Sequence, residues 1–241
     1  MTDRDLLQRL AARSIGGRYS LFVKGGAFLA VVGAVLFVLS ITGGHKDRAW
    51  QAFHVNWLFF TGITGGSLAL VAVHKVANAK WSGVLIRFSE ATVFFTVVSV
   101  IGCGLIFTVG YQAIYGPMQE QLHGMSPGKT AWLGQAFMAG RLLVGLVALF
   151  GVGWMMVRAD LLPDMAAARG HVDPTRKALY DQWSAAYDGS EAGAAANEAR
   201  IHRLAPLYVV LFALVFTMVA FDGIMALQPH WFSNLLGGWY F

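Results

Sequence analysis

Arg87, Glu90, Arg141 and Asp222 are charged residues that lie well inside long apolar runs of this sequence. A charged side chain in hydrocarbon is costly unless a counter-ion, a backbone carbonyl or water meets it. Carboxylates and arginines in such a setting are typical of proton relays and of ion routes through membranes. The residue types therefore point to proton movement as the chemistry, and we predict that these four residues form a proton pathway.

Arg87 and Glu90 are three residues apart, so they share one face of a helix and can form an ion pair. An ion pair at the membrane interface, with no further role, is the simpler interpretation. His54 and Asn56 are a second candidate site, because a quinone carbonyl needs a hydrogen-bond donor and a quinol needs an acceptor at the same place. An interfacial histidine is the alternative for His54.

The composition indicates an integral membrane protein. Of its 241 residues, 56% are hydrophobic and only 13% are charged, against about 25% charged residues in soluble domains. Its net charge of +5 does not indicate nucleic-acid binding, because the Lys and Arg residues lie at the ends of apolar runs. The single cysteine, Cys103, excludes an internal disulfide and a cysteine-ligated cluster within this chain.

Five apolar runs are long enough to cross a bilayer as helices, which takes about 20 residues. They predict an all-α, polytopic helical bundle with five transmembrane helices, at residues 21–42, 53–74, 84–115, 131–157 and 205–227. The third run is longer than one crossing needs, and we expect its end to project beyond the membrane or to break before Pro117.

The distribution of basic residues predicts a cytoplasmic N-terminus and an external C-terminus, since Lys and Arg concentrate in cytoplasmic segments. Most of them fall in the N-terminal tail and in the second and fourth loops: Arg4, Arg9, Arg13, Arg18, Lys75, Lys80, Arg158, Arg169, Arg176, Lys177, Arg200 and Arg203. The predicted organisation is a cytoplasmic tail (1–20), helices one to four (21–158), a cytoplasmic helical loop (159–204), and helix five with an outer aromatic tail (205–241).

Within the loop, turns are predicted at Leu162-Pro163-Asp164 and Asp173-Pro174, and a break at Asp188-Gly189-Ser190. This orientation places Arg87 and Glu90 near the cytoplasmic side. Arg141, about ten residues into its run, falls near the midplane at 1.5 Å per residue, and Asp222 and His54 fall near the outer side. The predicted pathway follows that order of depth.

The histidines do not favour a haem site. A membrane cytochrome needs axial histidines at matching depth on facing helices, whereas His54 and His74 lie on one helix about 30 Å apart. We therefore expect no redox cofactor to be bound by this chain.

Three stretches carry a resemblance to a known family. They are H-V-N-W-L-F-F-T-G-I-T-G-G at 54–66, K-W-S-G-V-L-I-R-F-S-E-A at 80–91, and A-F-D-G-I-M-A-L-Q-P-H-W-F-S-N-L-L-G-G-W-Y at 220–240. They resemble the polysulfide reductase membrane-subunit (NrfD-like) family, and within it the ActF subunits of bacterial alternative complex III. Arg87 and Glu90 match the R-x-x-E of the family. Phe59 stands where the family's quinone sites have a histidine one turn after the position of Asn56.

The resemblance implies a multi-pass subunit of the bacterial inner membrane in a quinol:electron-acceptor oxidoreductase. It implies quinone or quinol as ligand, a second NrfD-like subunit, and partner subunits that carry iron-sulfur clusters and haem c, all surrounded by lipid. Close relatives have more helices, so we expect a shortened, split or partial form of the family. Two other functions fit the residues: a structural anchor for peripheral redox subunits, and an independent anion transporter in which Arg141 meets the substrate.

Overall fold

The computed structural model describes residues 17–79, 81, 83–185, 187–230 and 235–240. These residues form helices and connecting turns, with no strand among them. The α-helices are α1 (Gly17–Thr42), α2 (Lys46–Val76), α3 (Gly83–Ala91), α4 (Phe95–Thr108), α5 (Tyr111–Gln121), α6 (Pro127–Trp132), α7 (Gln135–Ala168), α8 (Pro174–Ser184), α9 (Glu191–Gly223) and α10 (Leu235–Tyr240). Short 3-10 helices join α3 to α4 (Thr92–Phe94) and follow α9 (Met225–Leu227).

Five helical segments of the described chain are long and apolar enough to cross a membrane: Ser20–Thr42, Lys46–Val76, Leu85–Thr108, Gln135–Ala168 and Glu191–Leu227. Apart from its two ends, a helix pairs all of its backbone N–H and C=O groups within itself, which hydrocarbon requires of a spanning segment. The prediction of an all-helical, multi-pass membrane protein with five candidate spans is therefore confirmed.

The chain divides into two compact units. One contains the described residues of 1–38 together with 155–203. In it, Asn197 Nδ2 donates a hydrogen bond to the Ala159 carbonyl at 2.8 Å and Arg169 pairs with Asp181 at 2.6 Å. The other unit contains residues 39–154 and 204–241 and holds all six predicted site residues.

In this larger unit, α2 packs antiparallel against α3 and α4. Trp57 Nε1 donates to the Ser99 carbonyl at 2.7 Å, and the rings of Phe60 and Phe95 lie 5.6 Å apart. The Trp50 ring occupies the space in which a Cβ atom at position 110 would lie, so only glycine fits there. Trp50 thus contacts Gly110, Trp57 contacts Ser99 and Phe60 contacts Phe95. These three contacts define the antiparallel register of α2 with α4.

The N-terminal part of α7 and the C-terminal part of α9 complete the larger unit through close helix contacts. Gly153 faces the ring of Tyr208, and Gly65 faces the ring of Phe216 so closely that a Cβ atom would overlap it. Tyr208 also donates from its hydroxyl to the Gly65 carbonyl at 3.3 Å. Small residues at such positions allow helix backbones to approach, as is typical of membrane bundles.

The third run breaks at Val109 and Gly110, before Pro117, where the Trp50 ring packs against the backbone. Pro117 itself lies inside α5. The turn predicted at Leu162-Pro163-Asp164 is wrong, because Pro163 lies inside α7, which continues to Ala168. A proline removes one helical hydrogen bond and bends the helix, so packing of the flanking turns can carry the helix through it.

The predicted helical loop of residues 159–204 contains the end of α7, all of α8 and the start of α9. Its two other signals are confirmed. Asp173 caps α8 by accepting from the Thr175 backbone N–H at 2.9 Å, and Gly189 adopts a φ of +71° between α8 and α9. Most of the predicted tail, residues 1–16, lies outside the described residues.

Candidate functional site

Arg141 and Asp222 form a buried bidentate ion pair in the larger unit. Arg141 Nε donates to Oδ2 of Asp222 at 2.6 Å and Nη2 donates to Oδ1 at 2.5 Å. The side chain of Asp222 is 1% exposed and that of Arg141 is 12% exposed. The guanidinium fork matches the two carboxylate oxygens, so the pair has the geometry that makes a buried charge tolerable.

Further contacts hold the guanidinium of Arg141 in place. Its Nη1 donates to the Trp132 carbonyl at 2.9 Å. Its Cζ lies 4.2 Å from the centroid of the Trp132 ring and 4.8 Å from that of Phe137. Two aromatic faces over a cation add electrostatic attraction, so α6 and the start of α7 form a fixed clamp around this charge.

The C-terminal end of α9 is held by side chains of two other helices. Tyr115 of α5 donates from its hydroxyl to the Asp222 carbonyl at 3.0 Å, and His54 Nε2 of α2 lies 2.7 Å from the Gly223 carbonyl. The last carbonyls of a helix have no partner within it, and these two side chains supply one each. Because a carbonyl only accepts, Nε2 of His54 carries the hydrogen, and Nδ1 is an acceptor when the ring is neutral.

A cavity of about 280 Å³ opens beside the ion pair. Its polar lining comes from Asp222, Lys129, Gln228 and the Trp132 indole, and its other walls are Leu133, Phe221, Met225, Ala226 and Pro229. Lys129 Nζ donates to the Pro229 carbonyl at 2.5 Å. A mostly apolar cavity lined by a few polar residues, among them Asp222 and Lys129, is typical of sites that bind an apolar ligand in a fixed orientation.

Arg87 and Glu90 form the second ion pair, at 2.6 Å. The Glu90 side chain is 3% exposed, whereas that of Arg87 is 42% exposed, so the carboxylate points into the unit and the guanidinium to its surface. The antiparallel packing of α4 and α7 separates the two pairs. Trp154 of α7 donates to Thr96 at 2.8 Å, which places Glu90 roughly 30 Å from Arg141 along the helix axes at 1.5 Å per residue.

The structure therefore joins two of the four predicted pathway residues directly, and keeps the other two as a separate pair. Arg141 does not stand alone between Glu90 and Asp222, as the predicted order of depth required, but binds Asp222 itself. The reason is that α7 begins only at Gln135, so Arg141 is less than two turns from the start of its helix and level with the end of α9.

His54 and Asn56 do not share a site. They are two residues apart on α2, which puts them about 200° apart around the helix. His54 is buried at 3% exposure, while Asn56 is exposed and donates from Nδ2 to the Ala52 carbonyl at 2.8 Å. The candidate quinone-binding pair is thus split, and only His54 belongs to the cluster around Asp222.

Tyr115, Trp132 and Lys129 belong to the site but were not identified from the sequence. A signal for Tyr115 is present, because Phe107, Tyr111 and Tyr115 recur every four residues and their rings stack at 5.2 to 6.1 Å. Trp132 and Lys129 lie on the six-residue helix α6, which is too short to show a periodic pattern, so no comparable signal marked them.

No family model, no curated protein and no solved structure matches this chain. Its class is defined by the fold: a multi-pass, all-helical membrane protein with five candidate spans. Within the described part of that fold, the buried Arg141–Asp222 pair with its adjoining cavity is the strongest candidate for a functional site.

Proposed function

We propose that this chain is an integral membrane subunit of a respiratory quinol:electron-acceptor oxidoreductase similar to alternative complex III. In this proposal it lies in the bacterial cytoplasmic membrane with its N-terminus in the cytoplasm. The resemblance of residues 54–66, 80–91 and 220–240 to NrfD-like subunits supports it. The structural observation that carries it is the buried Asp222 carboxylate, clamped by Arg141 at the wall of a ligand-sized cavity.

The cavity beside Asp222 suits a quinol headgroup. Oxidation of a quinol to a quinone releases two electrons and two protons, and the protons need an acceptor at the ring. A quinol hydroxyl would donate a hydrogen bond to the Asp222 carboxylate, and the Lys129 ammonium would donate to a ring oxygen. The Trp132 indole supplies an aromatic wall. Electrons leave to iron-sulfur and haem c centres of partner subunits.

His54 and Tyr115 serve this site as positioning residues. They bind the carbonyls of Gly223 and Asp222, so they fix the end of α9 and hence the direction of the Asp222 side chain. Arg141 sets the orientation of the carboxylate plane through its two parallel hydrogen bonds. Glu90, buried about 30 Å away, would exchange protons with the cytoplasmic side, while the half-exposed Arg87 orients its carboxylate through their ion pair.

The test begins with purification of the chain from its native membranes in mild detergent, followed by mass spectrometry of its companions. We expect subunits with iron-sulfur and haem c signatures, and haem absorbance that quinol reduces. Asp222→Asn should lower quinol-dependent reduction about tenfold or more, as expected when a proton acceptor is lost, in a complex that still assembles. Asp47→Asn is the matched control, since Asp47 is exposed in the first turn of α2.

Other outcomes favour the two rival functions. A structural anchor would co-purify with redox subunits but keep full quinol oxidation in the Asp222→Asn variant. An anion transporter would purify alone and colourless, and the positive charges of Lys129 and Arg141 beside the cavity would then be its binding groups. Either result would overturn the proposal.

A further inference from the structure

Polar side chains form a line through the larger unit, away from the cavity. On the buried face of α2 they recur after seven and then three residues, and on the facing helices α3 and α4 they recur after six and then three residues. We call this line the polar seam; its members are His54, Thr61, Thr64, Glu90, Thr96 and Ser99, all between 0% and 3% exposed. Buried polar residues in a membrane bundle are costly and usually functional.

The register of the helices brings the two sides of the seam together. Trp57 bonds the Ser99 carbonyl, and the Phe60 ring contacts the Phe95 ring. In this antiparallel register, Thr61 lies opposite Thr96, and Thr64 lies opposite the helical turn that contains Glu90. The seam therefore runs from Glu90, at one end of the helices, to His54 beside the end of α9.

Three polar atoms of the seam have no hydrogen-bond partner among the described residues: His54 Nδ1, Thr61 Oγ1 and Ser99 Oγ. Other hydroxyls of the seam bond to their own helix, Thr64 to the Phe60 carbonyl at 2.8 Å and Thr96 to the Val93 carbonyl at 2.5 Å. Thr61 and Ser99 do not use this local alternative, so their hydroxyls are free to meet another partner. A buried polar atom without any partner is destabilising.

The three residues follow one another along the packed helices. His54 and Thr61 are seven residues, about 10 Å, apart on α2, and Trp57 between them bonds the backbone carbonyl of Ser99. Buried polar groups without a protein partner are usually bridged by internal water, which needs two to four such groups within reach. We propose that α2 and α4 enclose internal water molecules bound by His54 Nδ1, Thr61 Oγ1 and Ser99 Oγ, and that this water connects Glu90 with the end of α9.

The proposed water would connect Glu90 with His54 for proton transfer, which the two ion pairs do not do. A proton passes along hydrogen-bonded water and hydroxyl groups by successive transfers, with no net change in any of them. At one end is the buried carboxylate of Glu90, and at the other the imidazole of His54, whose second nitrogen binds the residue next to Asp222. This part of the inference rests on the proposed function, and it replaces Arg141 as the link between Glu90 and Asp222.

Radiolytic footprinting of the purified full-length protein tests the water directly, because X-ray pulses generate hydroxyl radicals from buried water that oxidise adjacent side chains. We expect oxidation of buried Trp57 well above that of Met138, which is also buried but lies outside the seam. Thr61→Val replaces the hydroxyl with a methyl group of similar size, and Ser99→Ala removes the other. Each should lower Trp57 oxidation about threefold or more as bound water is lost.

Thermal unfolding of the same variants distinguishes a seam that binds water from a dry one by the sign of the change in Tm. If water bridges the hydroxyls, removing one should lower Tm by about 2–4 °C. If the seam is dry, removing an unsatisfied hydroxyl should leave Tm unchanged or raise it. Thr108→Val is the matched control, since Thr108 is exposed on α4 and bonds the Gly104 carbonyl. Trp57 oxidation no higher than that of Met138, or an unchanged or raised Tm, would overturn the internal water.

Proton release by the assembled complex tests the connection. Thr61→Val should slow quinol-driven proton movement about tenfold, with quinol binding unchanged. Normal proton movement in this variant, with water lost from the seam, would overturn the connection and leave the water site standing. An assembled complex with no quinol oxidation in the parent protein would instead overturn the proposed function, while footprinting still decides whether water is bound.

Discussion

Replacing Arg141 with methionine keeps much of the side-chain volume but removes the charge that pairs with Asp222. The carboxylate would lose two charge-assisted hydrogen bonds, at 2.6 and 2.5 Å, and remain 1% exposed. Breaking a buried pair in this way costs about 3–5 kcal/mol, because one charge is left uncompensated. Asp222→Asn should cost less, since the amide oxygen still accepts a hydrogen bond from the guanidinium.

The double variant Arg141→Met/Asp222→Asn contains no uncompensated charge, so its cost should be about 2 kcal/mol below the sum of the single variants. Equilibrium unfolding of all four proteins in the same detergent, with helix content as the signal, completes the cycle. Full additivity within about 0.5 kcal/mol would refute the reasoning, because it would mean that the two side chains do not stabilise each other.

Three further predictions concern other parts of the chain. Gly65→Ala should destabilise the protein by about 1–3 kcal/mol because its Cβ would overlap the Phe216 ring, whereas Gly66→Ala, with no atom within 4 Å, should be nearly neutral in the same unfolding assay. Glu90→Gln should lower proton uptake by the complex about tenfold, and an unchanged rate would remove Glu90 from the pathway. The hydroxyl and backbone N–H of Thr175 hold the pKa of Asp173 below its ordinary value, so its capping of α8 should be present at neutral pH and lost as pH falls through that lowered pKa. The protection of the amides of residues 174–184, relative to their intrinsic exchange rates, should then fall in acid, but should not change with pH in Asp173→Asn.

The sequence correctly predicted those features that depend only on residues close together in the chain. The five candidate spans follow from length and hydropathy, because a spanning helix needs only its own backbone and an apolar surface. The i,i+3 spacing of Arg87 and Glu90 was enough to anticipate their ion pair. The caps and breaks near Asp173 and Gly189 likewise depend on one or two residues each.

The candidate site depended on contacts that no local pattern encodes. Arg141 and Asp222 are 81 residues apart, and His54 reaches the Gly223 carbonyl across 169 residues. Their meeting depends on where α7 begins and α9 ends. Gln135 at the start of α7 bonds the Phe107 carbonyl of α4, and the end of α9 is held by side chains of α2 and α5. Pro163 was misjudged as a turn because α7 continues through it to Ala168 despite the local cost of a proline inside a helix.

The amino-acid sequence by itself thus determined the class of the protein, the number of candidate spans and the residue types available for proton chemistry, since composition and short-range spacing decide these. Tertiary structure alone decided which charges pair and which polar atoms stay without a protein partner. It also placed the cavity beside Asp222. The physical reason is that the free energy of burying a charge or hydroxyl in a membrane bundle depends on its hydrogen-bond partner, and the packing of distant helices decides which group that is.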